Sequence, residues 1–265
     1  MNNYPSIFND VVGPVMRGPS SSHCAASLRI GRLCRDLMDG QISHILIEFD
    51  PHGSLATTHK SQGSDMGLFG GFLGWEAFDE RLQDSEEYID KAGIKIDIVI
   101  NPLSISKHPN TYQLTLSSQN ECRRLVAIST GGGMIEVIAI DGAPVSMAGD
   151  YFETLIYCDA PEMVKAYLQE VFDFDSIKWH SGEQPFIEIK AQQFLPDTLC
   201  EELRAFQEVK SIKKRAPVLP IMARKNVTIP FYQRNITAQK VGYCIKTPIF
   251  GASLQMFFTI ICQMF

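Results

Sequence analysis

Gly13-Pro14-Val15-Met16-Arg17-Gly18-Pro19-Ser20-Ser21-Ser22-His23-Cys24 sets Gly-Pro breaks, three hydroxyls and an imidazole against the start of an amphipathic run. Helical spacing follows at Ala26, Ile30, Leu33, Cys34 and Leu37, while Arg29, Arg32 and Arg35 fall elsewhere around the helix. The first backbone N–H groups of a helix lack intrahelical partners and carry partial positive charge, so hydroxyls beside them can help hold a carboxylate or phosphate. Ser20, Ser21, Ser22 and His23 are therefore candidate binding residues for a small anionic substrate. Ser21 or Ser22 also reads as a plain N-cap.

Outward from that helix, periodicity and turn signals predict an α+β fold. Residues 42–49 alternate at Ile45, Ile47 and Phe49 as a half-buried strand, and a Gly-containing loop over 53–65 leads into an apolar helix over 66–75. Ile94, Ile96, Ile98 and Ile100 alternate, as do Tyr112, Leu114 and Leu116. Strands over 125–129 and 134–140 meet across Gly131-Gly132-Gly133, and Asp141-Gly142 turns into 145–147, which predicts an antiparallel meander. These stretches form one unit over 4–150 with an antiparallel sheet. Over 152–222 the order strand, helix, two strands, helix, strand predicts a ferredoxin-like, ACT-like βαββαβ module. An atypical apolar tail over 223–265 suits an interface or the truncated start of a further domain.

Basic residues number 24 and acidic residues 30, a net charge of −6 without a long basic run. Lys210 to Arg215 reads as a solvated helix end, so nucleic acid is not an expected partner. The N-terminus lacks a charged segment followed by an apolar core, and the run over 249–265 is short and interrupted by Gln255 and Gln263. A cytoplasmic protein without a membrane span is expected. Cysteines at 24, 34, 122, 158, 200, 244 and 262 form no CxxC pair, which predicts reduced thiols and no metal site in this chain.

Four stretches occur in one order: 13–24 above, Gly53 to Asp65, His108-Pro109-Asn110-Thr111, and Ile128-Ser129-Thr130-Gly131-Gly132-Gly133. Together they resemble the β chain, or β domain, of the iron-sulfur L-serine dehydratases (L-serine ammonia-lyases) of bacteria. The resemblance covers roughly the first 150 residues and fades beyond them. It implies conversion of L-serine to pyruvate and ammonia by an oligomer in which a cluster-bearing α chain or α domain supplies a [4Fe–4S] cluster. That cluster is not expected in this chain.

Dehydration of serine removes the Cα proton, expels the β-hydroxyl and restrains carboxylate and amine meanwhile. The resemblance makes His108 a candidate catalytic residue, with Asn110 and then Ser129 as substrate contacts. His108 and Asn110 also suit an ordinary turn. Relatives resemble Lys-Gly-His-Gly-Thr-Asp where this chain has Lys60-Ser61-Gln62-Gly63-Ser64-Asp65, and Cys24 replaces their threonine. Gln62 hydrogen-bonds but cannot take a proton near neutral pH, so it is a substrate contact rather than a base. His59, on the same loop, can substitute as a catalytic base if the loop refolds; otherwise it is an exposed loop histidine. Asp65 is expected to cap the following helix, and His44, His52 and His180 to be structural or surface residues. A non-catalytic, serine-binding regulatory module is the alternative.

Overall fold

A computed structural model describes residues 15–105 and 108–219. The apolar tail from 223 onward and the first residues of the expected N-terminal unit lie outside them. The fold is mixed α+β with two sheets. The first sheet has six strands in the order β2-β1-β3-β4-β5-β6: β1 His44–Phe49, β2 Lys95–Ile100, β3 Thr111–Ser117, β4 Cys122–Gly131, β5 Met134–Ile140 and β6 Ala143–Met147. Strands β3 to β6 form the expected meander. The sheet is mixed rather than wholly antiparallel, because β1 pairs with β2 in parallel. Between those strands the chain passes through α2 (Leu55–Thr58), α3 (Ser64–Phe72), a 3-10 turn (Glu80–Asp84) and α4 (Ser85–Lys91), a crossover long enough to return it in the same direction.

Helix α1 (Ser21–Leu37) packs against α3, β4, β5 and β10. Embedded on several sides, it buries Arg29 as well as the apolar residues that its spacing predicted. The guanidinium of Arg29 donates to the Gly133 carbonyl, which offsets part of the cost of burial. The second sheet, in the order β10-β7-β9-β8, is antiparallel throughout: β7 Phe152–Cys158, β8 Ser176–His180, β9 Phe186–Ala191 and β10 Val209–Arg215. Helices α5 (Pro161–Val171) and α6 (Asp197–Arg204) enclose one apolar core on it with Ile156, Ile187 and Ile212. Leu155, Tyr157 and Phe186, at alternate strand positions, join instead the core beneath α1.

Lys210 to Arg215 is not a solvated helix end; it lies in β10. Nonlocal partners draw its charges inward: Lys213 Nζ is 2.7 Å from both Asp39 and Glu121, and Arg215 Nη1 is 3.4 Å from Glu153. Both residues of the last pair are fully buried. Burial pushes the Glu153 carboxyl up to about 7 from 4.5, and the opposing pull of Arg215 and then Lys190 is too weak to restore it. The folded chain therefore binds a proton that the unfolded chain releases between about pH 4.5 and 7, and stability falls as pH rises through that window. The expected loss is about 3 kcal/mol, relative to a Glu153→Gln variant whose urea-unfolding free energy lacks this slope.

Candidate active site

The four stretches singled out in the sequence meet through a closed circuit of contacts. Ser20 N donates to the Gln62 carbonyl at 3.3 Å, and the Pro19 ring lies against Gly63. Ser54 N donates to the Pro109 carbonyl at 2.9 Å, and the Ser54 hydroxyl donates to Asn110 Oδ1. Ser129 N donates to the Asn110 carbonyl at 3.0 Å. Gly133 returns to the start, against Met16, Ala25 and Arg29. Backbone groups make most of these links, so the circuit is set largely by main-chain geometry.

Ser20, rather than Ser21 or Ser22, occupies the N-cap position of α1, with extended φ and ψ of −122° and 100°. Its side chain caps no backbone N–H; Ser20 Oγ instead lies 2.7 Å from His23 Nδ1. An imidazole one turn into the helix competes for the hydroxyl that would otherwise cap it. Ser21 is exposed, and Ser22 and His23 are half-buried. Cys24 is buried against α3, and desolvation pushes its thiol up to about 11.

The loop over 53–65 is folded into α2 and a tight turn, so His59 is not an exposed loop residue. Gln62 N donates to the Thr58 carbonyl at 2.9 Å and Ser64 N to the His59 carbonyl at 2.8 Å, with Gly63 left-handed at φ 81° between them. That turn brings His59 Nδ1 to 2.8 Å from both Asp65 carboxylate oxygens. Asp65 thus does not cap α3. Its side chain turns back to the imidazole, and Gly63 holds the cap position without a side-chain bond. Burial pushes the Asp65 carboxyl up, with the hydrogen bond from His59 opposing it. The His59 ring rests 5.2 Å from the Phe49 ring, which is itself edge-on to buried Tyr112. Tyr112 Oη donates to Ser64 Oγ at 3.2 Å, closing the packing beneath the turn.

Gln62 Oε1 is buried without a hydrogen-bond partner. A buried acceptor left in that state costs about 1–3 kcal/mol, a cost that a bound donor such as a substrate ammonium would remove. His108 Nδ1 accepts from Asn110 N at 3.2 Å, so the neutral ring carries its proton on Nε2. Ser129 is buried, and its N–H is committed to Asn110. Sequence spacing places Arg29 off the apolar stripe and gives no indication of the His59–Asp65 contact. A charged residue next to Leu28 and Ile30 was the available signal for Arg29; nothing local announced the dyad. His180, expected to be structural or surface, lies 2.5 Å from Glu188 and 3.0 Å from the Pro144 carbonyl, and His44 lies 2.8 Å from Asp97.

Among the described residues no three His, Cys, Asp or Glu converge to hold a metal. Burial pushes the thiols of Cys24, Cys34 and Cys158 up to about 11, 12 and 11, opposite to what a thiolate ligand requires. The described residues do not fit an iron-sulfur cluster. No helix among them is long and apolar enough to cross a membrane.

No protein-family model matches the chain. Among curated relatives, the chain is 30% identical over 221 residues to the probable L-serine dehydratase beta chain of Bacillus subtilis (strain 168), covering 80% of this chain and 99% of that one. It is 32% identical over 163 residues to the L-serine dehydratase beta chain of Peptoniphilus asaccharolyticus, covering 61% of this chain and 72% of that one. The similarity thus runs well past the first 150 residues, where short motifs had been the only visible signal. Four ordered stretches joined in one circuit, together with identity across almost the whole of a relative, place this chain in the L-serine dehydratase beta-chain family.

Proposed function

We propose that this chain is the β component of an L-serine ammonia-lyase and converts L-serine to pyruvate and ammonia in a complex with a cluster-bearing α component. The circuit joining the 13–24, 53–65, 108–111 and 128–133 stretches carries the reading, because it gathers anion-binding, hydrogen-bonding and proton-carrying groups in one region. In this reading Ser20, Ser21, Ser22 and His23 hold the substrate carboxylate at the start of α1. Gln62, Asn110 and Ser129 contact its remaining polar groups, while His59 and His108 manage protons. Lewis-acid assistance at the β-hydroxyl, from the [4Fe–4S] cluster, is left to the α component. The strand order β10-β7-β9-β8 supports a ferredoxin-like, ACT-like module over 152–222, following a first unit over 4–150 and preceding the tail over 223–265.

Anaerobic co-expression with a candidate α chain, followed by a pyruvate assay, tests the reading. A complex that forms and carries cluster absorbance yet makes no pyruvate from L-serine would overturn it. Glutamine at 62 favours a second reading, a serine-binding regulatory module, since its amide can bind but cannot accept the proton. Serine binding by the full chain in calorimetry, with no turnover in the complex, would support that alternative. If the lyase reading holds and the proton passes through position 62, Gln62→His raises turnover by about 10²-fold or more, the range of general-base effects. An unchanged rate would show that position 62 is not the site of proton transfer in this chain.

A further inference from the structure

His59 and Asp65 lie six residues apart, a separation too long for a regular helix or strand to bring the two side chains into contact. The turn does so by bending the chain back on itself: Ser64 N and Asp65 N both approach the His59 carbonyl, at 2.8 and 3.4 Å. The imidazole is thereby held through its backbone, its Nδ1 and one ring face against Phe49. Its Nε2 bonds no group of the described residues, and the His59 side chain is 21% exposed. A carboxylate accepts only, so the proton between the pair belongs to Nδ1 and a neutral His59 presents a lone pair at Nε2. His108 has the opposite arrangement, with Nδ1 accepting from Asn110 N. His59 thus offers an acceptor at Nε2, whereas the neutral His108 ring carries its proton there.

We propose that Asp65 is a positioning residue that fixes His59 as the Nδ1–H tautomer, so that His59 Nε2 assumes the proton-accepting task that the amide at 62 cannot perform. The inference rests on the lyase reading for its substrate, while the dyad itself stands on geometry. The Cα–H bond of serine breaks toward Nε2, and its electron pair forms the carbon-carbon double bond as the β-carbon-oxygen bond breaks. The transferred proton, returned to the departing hydroxide, completes a water molecule, so no further reagent is consumed. The Asp65 carboxylate faces the imidazolium that forms in between and stabilises it. The other charged groups near this carboxylate are Lys60, on the same turn, and Glu86, from α4.

Long-range proton-nitrogen NMR of the full chain, labelled with 15N-histidine, reads the tautomer directly and requires no turnover. The wild type is expected to show His59 protonated at Nδ1. Asp65→Asn, whose amide can donate to Nδ1, is expected to shift His59 toward the Nε2–H form. In the reconstituted complex the same variant should lose about 10²-fold or more in kcat with KM changed less than threefold, within the range of general-base effects. Asp65→Glu should recover part of that loss. An Nε2–H tautomer in the wild type would overturn the inference without recourse to any variant. A tautomer and kcat both unmoved in Asp65→Asn would overturn it as well. A wild-type complex that makes no pyruvate, while the full chain keeps the Nδ1–H tautomer and Asp65→Asn shifts it, would sink the lyase reading and leave the positioning role of Asp65 standing.

Discussion

In the reconstituted complex, His59→Gln is expected to lower the rate of pyruvate formation by about 10²–10⁴-fold, the usual worth of a general base. Glutamine keeps a hydrogen-bonding side chain of similar reach, so it can still bond Asp65 while lacking any group that titrates near neutral pH. The turn itself depends on backbone bonds from Ser64 and Gln62, which the substitution leaves in place. The loss should therefore fall on kcat and not on the urea-unfolding midpoint. His108→Gln provides the contrast: if His108 donates a hydrogen bond to substrate rather than transferring a proton, much of its loss should appear in KM. Equal rates for wild type and His59→Gln would remove His59 from proton transfer altogether.

Gly71→Ala is expected to destabilise the chain by about 3 kcal/mol or more, at or beyond the upper end of ordinary overpacking. Helices α1 and α3 touch backbone to backbone, and a Cβ at Gly71 would lie 2.2 Å from the Leu28 carbonyl oxygen and 2.8 Å from Gly31 Cα. Backbone atoms cannot rotate aside, so the helices must separate. A domain has only about 5–15 kcal/mol of stability to lose. The separation would also part Ser20–His23 at the head of α1 from Gln62–Asp65 at the head of α3, so serine binding should weaken along with the fold. Gly70→Ala is the comparison, because its Cβ would meet the end of the Leu82 side chain at 2.4 Å, a group that can repack. A loss under about 1.5 kcal/mol is expected there. Urea titration of the two variants decides the matter: similar midpoints would show that the close approach of the helices does not govern stability.

Much of the secondary structure was legible because it follows local alternation. Met134–Ile140 has the bounds that its pattern predicts, and the turns at Gly131-Gly132-Gly133 and Asp141-Gly142 separate the meander strands where those residues stand. Ile94 to Ile100 reads as a strand for the same reason. As a sheet-edge strand, however, β2 buries its isoleucines only in part and leaves Ile100 exposed. The 3-10 turn and α4 escaped notice, since Glu80 to Lys91 carries mostly charged residues around Leu82 and Ile89. Lys210 to Arg215 misled because charge density reads as exposure, whereas Asp39, Glu121 and Glu153 come from distant parts of the chain to neutralise it.

The same division runs through the candidate site. Residue order alone determined the α+β class, the meander, the βαββαβ sequence of elements and the four stretches that mark the family, since each depends on spacing within a few residues. Only the tertiary structure decided the parallel pairing of β1 with β2, the burial of Arg29 and Arg215, the circuit joining the four stretches, and the meeting of His59 with Asp65. Those outcomes depend on which distant groups arrive beside one another. A buried charge, a shared proton or a helix-helix contact acquires its energy from that arrival, which no periodicity within a single segment encodes.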